Sequence, residues 1–196
     1  MKIALIAALA ASIGMSTAFA QQPTRVRGTI EKVEGNVLTV KAGEAGEVKL
    51  ALADKAQVFG IVKATLADIK PNDFVGVGAM PQADGSQKAI QLNIFPEAMR
   101  GVGEGHRPWD RPGSTMTNGA VDTTVKSVEG QVLMVKYKDG EKKIIVTPEA
   151  TIRAYQPGDR SELKPGANIA TFAVKQADGS FTASRINVGR EGVVPQ

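Results

Sequence analysis

The chain has 196 residues, among them 24 Lys and Arg, 20 Asp and Glu, one His and no Cys. The lack of cysteine excludes disulfides, thiolate zinc sites and thiol catalysis, so small domains must rely on their hydrophobic cores. The net charge of +4 comes from basic residues that alternate with acidic ones, which indicates solvated strand faces more than a nucleic-acid surface.

The first 20 residues have the pattern of a secretory signal peptide. Lys2 gives a positive start, residues 3–11 form an apolar run, and residues 18–20 read AFA, a small-residue cleavage signal. The apolar run is too short to span a bilayer, and an uncleaved N-terminal anchor is the competing interpretation. The sequence therefore predicts cleavage after Ala20, a periplasmic location and no membrane span in the mature chain.

A stretch of thirteen residues occurs twice in the chain. Residues 29–41 read TIEKVEGNVLTVK and residues 124–136 read TVKSVEGQVLMVK, so that eight positions are identical. Further matches follow at an offset of 94, including QADGS at residues 82–86 and 176–180. The duplication predicts two copies of one small β domain, because each copy has a complete set of strand and turn signals.

Within each copy the pattern predicts five or six strands and one short helical turn. In the first strand the alternation of apolar and polar residues is interrupted, which implies a β-bulge. A Glu-Gly turn follows this strand. Thr65 and Asp159 are N-cap residues with an acidic residue three positions later, and Lys-Pro ends each helical turn. The residues expected in the two cores are Ile30, Val33, Leu38 and Val40, and Val125, Val128, Leu133 and Val135.

A helical turn before the penultimate strand of a small closed sheet is typical of an OB barrel. We therefore predict an all-β protein with two tandem OB-like small β-barrels, at residues 21–95 and 119–196. A Gly/Pro-rich linker at residues 96–118 joins them. A single β-sandwich of all strands is the alternative, and the repeat argues against it.

Two motifs carry a resemblance to a known group of exported bacterial proteins. Residues 28–30 (GTI) with Val33, and residues 163–166 (LKPG), resemble a domain-of-unknown-function family of OB-like repeats. That resemblance implies the fold of both barrels and no particular activity. Through His106, Trp109 and residues 115–117 (TMT), the chain is also similar to the small periplasmic copper and silver chaperones of efflux systems. Those OB barrels use a His, a Trp and paired Met residues, and the resemblance implies a soft-metal site.

The predicted linker holds the only His and the only Trp of the chain, His106 and Trp109. It is either a tether with Trp109 docked on a barrel or a site, because rare residues in a connecting segment also mark function. A soft-metal site would use His106 with Met99 or Met116, because imidazole and thioether ligands suit Cu(I). The candidate residues for binding another ligand are Trp109, Arg107 and Arg111.

The sequence has no signal of catalysis. It lacks Cys and a G-x-S-x-G motif, has one His, and places its acidic residues at turns and caps. We therefore predict a periplasmic, non-enzymatic binding or adaptor protein without a cofactor, which recognises a protein or a small ligand. The first alternative is a copper- or silver-binding protein that holds Cu(I). The second is a polyanion- or nucleic-acid-binding OB protein, against which the shortage of aromatic residues for base stacking argues.

Overall fold

The computed structural model describes residues 22–127 and 130–195, so the predicted signal peptide and its cleavage site lie outside the described residues. The strands are β1 (Thr24–Glu34), β2 (Val37–Lys41), β3 (Glu47–Lys63), β4 (Phe74–Pro81), β5 (Gln87–Phe95), β6 (Gly105–Pro108), β7 (Thr115–Ser127), β8 (Gly130–Tyr137), β9 (Gly140–Val146), β10 (Thr151–Pro157), β11 (Asn168–Lys175) and β12 (Phe181–Gly189). Short 3₁₀ turns lie at Gly43–Ala45, Leu66–Asp68, Glu97–Met99 and Arg160–Glu162. Within the described ranges, no helix has the length and apolar character needed to cross a membrane.

The prediction of an all-β fold is confirmed, together with its two helical turns. The backbone N–H of Thr65 donates to the carboxylate of Asp68 at 2.8 Å, and that of Asp159 donates to Glu162 at 2.9 Å. These bonds satisfy amides that a helical start leaves without an intrahelical partner. After the first turn Asn72 has a φ of 70°, in the left-handed region that asparagine tolerates better than most residues.

Five strands close into a barrel, here called the first barrel. The order is β1–β2–β3–β12–β11, and β11 pairs again with β1. All pairings are antiparallel except β3 with β12. Its core contains Ile30, Leu38 and Val40 from the first copy of the repeat, and Ile169 and Ile186 from the second.

Five of the seven remaining strands form what we call the second ring. Its order is β7–β8–β9–β5–β4, and β4 pairs again with β7. Two parallel residue pairs, Gln87 with Ile144 and Lys88 with Ile145, join β5 to β9. A separate core fills this ring and includes Val75, Leu92, Leu133 and Val135.

Each set of strands combines the first half of one copy with the second half of the other. This differs from the expectation that residues 21–95 and 119–196 form separate barrels. The chain passes between the two sets along β3 and β10, which pair antiparallel. Ile61 lies opposite Tyr155, its own counterpart at the repeat offset of 94. The β3–β10 pair is therefore at the centre of an approximate twofold relation between the two sets of strands.

The predicted linker is also more ordered than a tether. After the 3₁₀ turn at Glu97–Met99, β6 forms and pairs with the start of β7. Strand β7 begins at Thr115, four residues before the predicted start of the second domain at residue 119. Residues 105–108 and 115–118 therefore extend the sheet, and turns make up the rest of the segment.

Five of the eight predicted core residues are buried, while Val33 is 37% exposed and Val125 is 59% exposed. Val33 lies opposite the buried Leu38, so the predicted bulge does return it to the core face. It is the second-last residue of β1, beside the exposed residues of the turn. Val128 lies outside the described residues.

Val125 is exposed because the bulge of β7 falls earlier than the sequence indicates. The register shifts between Val121 and Thr123, so Val125 pairs with Val132 on the outer face. Since side chains alternate along a strand, a bulge placed before a residue reverses its facing. Gly130, predicted to lie in the turn, instead begins β8 opposite Ser127.

Candidate functional site

A groove of about 450 Å³ lies between the first barrel and the second ring. We call it the shared groove. Its lining residues come from β1, β11 and β12 on one side and from β5, β6 and β7 on the other. Tyr155 of β10 lies between the two sides, and Trp109 and Asp110, which follow β6, complete the wall.

The floor of the shared groove is one face of a continuous sheet. Strand β10 pairs with β3 on one side and β5 on the other, and so connects the two sets of strands. Residues opposite one another on neighbouring strands face the same side. By this rule Arg25 shares a face with Phe172, and Met116 shares a face with Gly78 and Arg107.

The charged lining of the groove is basic: three arginines against one aspartate, Asp110. The guanidinium carbon of Arg25 lies 5.0 Å from the ring centroid of Phe172, within cation–π range, and Arg25 also forms an ion pair with Asp110. Arg107 donates a hydrogen bond from Nη1 to the carbonyl of Gly103 at 2.7 Å. The third, Arg27, is exposed and forms no ion pair with any residue that the structure describes.

Four of the nine Phe, Tyr and Trp residues of the chain line this one groove. Phe172 is 60% exposed and lines the groove, so part of its ring is accessible. The ring of Tyr155 meets Phe95 edge to face at 5.0 Å. Burial raises the pKa of the Tyr155 phenol, and nearby arginines including Arg25 oppose that shift. The hydroxyl therefore remains a proton donor at neutral pH.

Amide side chains also line the groove. Asn93 and Asn187 are counterparts at the repeat offset of 94, and Gln91 and Asn118 accompany them. The Oδ1 atoms of Asn118 and Asn187 are buried and have no hydrogen-bond partner among the described residues. A buried acceptor without a partner costs about 1–3 kcal/mol. The groove therefore has polar walls in which two hydrogen-bond acceptors remain unsatisfied by the protein.

Trp109 is partly buried and its six-membered ring covers Gly78 of β4. A Cβ atom added at Gly78 would lie 2.7 Å from Cη2 and 2.8 Å from Cε3 of the indole, closer than carbon atoms can pack. The backbone N–H of Trp109 donates to the carbonyl of Ser114 at 3.0 Å, which closes the loop between β6 and β7. This placement agrees with the expectation that Trp109 docks on a barrel.

The structure separates the residues of the predicted soft-metal site. Because His106 lies opposite Thr117 and Met116 lies opposite Arg107, the side chains of His106 and Met116 point to opposite faces of the β6–β7 pair. Met99 is buried in the 3₁₀ turn before β6. In residues 22–127 and 130–195 there is also no group of three or more His, Asp or Glu side chains that could hold a metal.

His106 makes contacts of its own on the face away from the groove. Its Nδ1 is hydrogen-bonded to Oγ1 of Thr117 at 2.8 Å, and its ring is stacked at 6.3 Å on Tyr137. Burial, and then the charge of Lys142, lower the pKa of His106. The imidazole is therefore held neutral at pH 7 by its surroundings.

Of the three residues predicted to bind another ligand, Trp109 and Arg107 line the shared groove and Arg111 does not. Arg111 is exposed, and its carbonyl accepts a hydrogen bond from the Ser114 hydroxyl at 2.6 Å. The sequence reasoning missed the opposite wall, which includes Arg25 and Phe172. One signal was available, since Phe172 occupies an outward position of its strand, where a solvated face normally has polar residues.

The same chain was compared with proteins of known family, function or structure. No family model, curated protein or solved structure matches it.

Proposed function

We propose that this is an exported, non-enzymatic binding protein, and that its shared groove takes a small anionic ligand with a flat, ring-like part. One observation carries the proposal. Three arginines and four aromatic rings line a single groove, and among the residues that the structure describes Asp110 is the one carboxylate in its lining.

The chemistry of these side chains supports an anion with a ring. Guanidinium groups bind carboxylates and phosphates through paired hydrogen bonds, and aromatic faces pack on flat apolar groups. The Tyr155 hydroxyl and the four amide side chains add hydrogen-bonding groups for a polar substituent. A volume of about 450 Å³ is in the range of small-molecule sites.

The groove favours binding over catalysis. General acid–base chemistry needs a group that can change protonation near neutral pH, and arginine and a tyrosine of raised pKa do not. The carboxylate of Asp110 is held in an ion pair with Arg25. The single histidine faces away from the groove, beside Thr117 and Tyr137. The lining of the groove therefore offers recognition without a nucleophile–base pair.

We also propose that both strand sets are OB-like barrels that have exchanged their second halves. Each contains five strands, and a capped 3₁₀ turn precedes the fourth strand of each, at Leu66–Asp68 and Arg160–Glu162. This is the arrangement of a five-stranded Greek-key barrel. Export to the periplasm rests on the signal-like pattern of the first 20 residues.

The test is a calorimetric titration of the purified mature chain with 2-naphthoate. At about 0.3 kcal/mol for each of about 13 non-hydrogen atoms, the expected Kd is on the order of 1 mM. Naphthalene-2-methanol, which has the same rings without the charge, should bind at least about tenfold more weakly, since a charged hydrogen bond contributes roughly 1.5–3 kcal/mol.

Variants locate the binding. Arg25→Met and Phe172→Ala should each weaken the binding of 2-naphthoate several-fold. Arg111 is an exposed arginine outside the groove, so Arg111→Met should not weaken it. Equal affinity for the acid and the alcohol, or equal loss in all three variants, would refute the proposal.

A further inference from the structure

We infer that the shared groove is a two-ended clamp with an arginine and an aromatic ring at each end, and that its ligand carries an anionic group at each end. The inference rests on the proposed function and specifies the ligand class: a small dianion whose charges are separated by a flat or extended middle.

The first end is formed by the first barrel. Arg25 of β1 lies opposite Phe172 of β11, and its guanidinium is above the phenyl ring. The ring packs against the guanidinium, whose N–H groups can donate to an anion. The carboxylate of Asp110 forms an ion pair with Arg25, so an anionic group already occupies this position. A ligand carboxylate would replace that of Asp110.

The repeat identifies the corresponding positions at the other end. Gly28 of β1 and Gly119 of β7 are structural counterparts, because an added Cβ would collide with the carbonyl of Lys41 in one case and Lys136 in the other. Arg25 lies three residues before Gly28, and Met116 lies three residues before Gly119. Met116 is therefore the counterpart of Arg25.

The aromatic position follows in the same way. Phe172 and Gly78 are related by the repeat offset of 94, and Gly78 lies opposite Met116 just as Phe172 lies opposite Arg25. At these positions the strands of the second ring thus have neither the arginine nor the aromatic side chain. If nothing replaced them, the groove would have one basic end and one neutral end.

The segment between the repeats supplies both missing groups. Trp109 places its ring on Gly78, where the counterpart of the Phe172 side chain would be. Arg107 lies opposite Met116 on β6 and lines the groove. Neither residue belongs to the repeat, so the same chemistry has been rebuilt from a different part of the chain.

The middle of the groove has matching groups from the two halves. Asn93 and Asn187 are counterparts, and Tyr155 lies at the centre of the approximate twofold relation, opposite Ile61. Such a site fits a ligand with two similar ends and a hydrogen-bonding middle. A monoanion would contact only one of the two arginine–aromatic pairs.

The experiment compares naphthalene-2,6-dicarboxylate with 2-naphthoate by calorimetry on the mature chain. A second charged contact should make the dicarboxylate bind at least about tenfold more tightly. A purely statistical advantage for a ligand with two equivalent ends would be only about twofold.

Matched variants test each end. Arg25→Met and Arg107→Met should each reduce the preference for the dicarboxylate to about twofold, while Arg107→Lys should retain part of it. Arg111→Met, in the same segment but outside the groove, should leave the preference unchanged. Thermal unfolding of each variant checks that it is folded.

The outcomes separate the inference from the proposed function. If 2-naphthoate binds and depends on Arg25, but the dicarboxylate gains no more than twofold or is insensitive to Arg107→Met, the two-ended clamp is refuted and the groove remains a monoanion site. If neither naphthoate binds with dependence on Arg25 or Arg107, the proposed function itself fails.

Discussion

The packing of Trp109 on Gly78 allows a direct test of how the groove is built. Replacing Gly78 with Ala places a methyl group 2.7–2.8 Å from two ring carbons. The indole must then move by about 1 Å or more to reach normal contact. Gly78 has no positive φ, so alanine is acceptable to the backbone and the collision with Trp109 is the main effect.

The loss of stability expected for Gly78→Ala can be compared with the loss on removing the Trp109 indole. Trp→Ala costs about 3–5 kcal/mol at a fully buried site, and Trp109 is only partly buried, so Trp109→Ala should cost roughly 2–3 kcal/mol. Gly78→Ala, which displaces the ring without removing it, should cost about 1–2 kcal/mol. In the Trp109→Ala protein the methyl group has room, and Gly78→Ala should become neutral or stabilise by up to about 1 kcal/mol.

Urea unfolding of the four proteins in this double-mutant cycle measures the coupling, and emission of the single Trp reports its hydration in Gly78→Ala. We expect a coupling free energy above about 1 kcal/mol and a red-shifted emission. Gly76→Ala is the matched control on the same strand: its methyl group would meet Cε2 of Phe95 at 2.8 Å and not the indole. The contact would be refuted if Gly78→Ala lowered the free energy of unfolding equally in the wild-type and Trp109→Ala proteins and left the Trp emission unchanged.

Three further predictions concern the core, pH and the strand exchange. Leu133 is 0% exposed, so Leu133→Ala should lower the free energy of unfolding by about 2–5 kcal/mol in urea titrations; a loss below about 1 kcal/mol would contradict its burial. Burial and Lys142 lower the pKa of His106 from 6.5, so the unfolded chain binds this proton more tightly than the native state. The contribution of neutral His106 to the free energy of unfolding should therefore be complete above pH 6.5 and decrease at lower pH. His106→Gln should remove that decrease. Identical dependence of the free energy of unfolding on pH in both proteins would contradict the prediction. Residues 22–95 alone contain one copy of the repeat and should form a homodimer by the same exchange, which sedimentation can distinguish from a folded monomer.

Features set by neighbouring residues could be predicted from the sequence. The acid three positions after Thr65 and Asp159 predicts the capped turns, and Asn72 predicts a left-handed residue, because the relevant contacts lie within a few positions. The exchange between copies could not be predicted. Counterpart strands have similar side chains, so β3 can pair equally well with β5 of its own copy or with β12, and local alternation does not distinguish the two.

The candidate site was predicted in part for the same reason. Rarity in the sequence identified Trp109, and with it Arg107, in the groove wall. His106 was assigned to the same site because the segment looked irregular, whereas β6 is a strand and alternation sends His106 to the opposite face. Arg25 and Phe172 are distant from this segment in sequence, and only the exchange brings them to the same groove.

The exchange of halves is what gives the groove a rigid floor. In two contiguous barrels joined by a tether, Arg25 and Phe172 would belong to separate barrels, and Arg107 and Trp109 would belong to the tether. A ligand that contacted all four residues would then have to order three separate parts of the chain. Here the antiparallel pairing of β3 with β10 joins the two sets of strands through ten backbone positions, from Phe59–Lys63 and Arg153–Pro157. The two ends are therefore held at a fixed separation before any ligand arrives, and preorganisation of this kind reduces the entropic cost of binding. By this reasoning, loosening the β3–β10 pairing should weaken a dianion that contacts both ends and leave a monoanion at Arg25 unaffected.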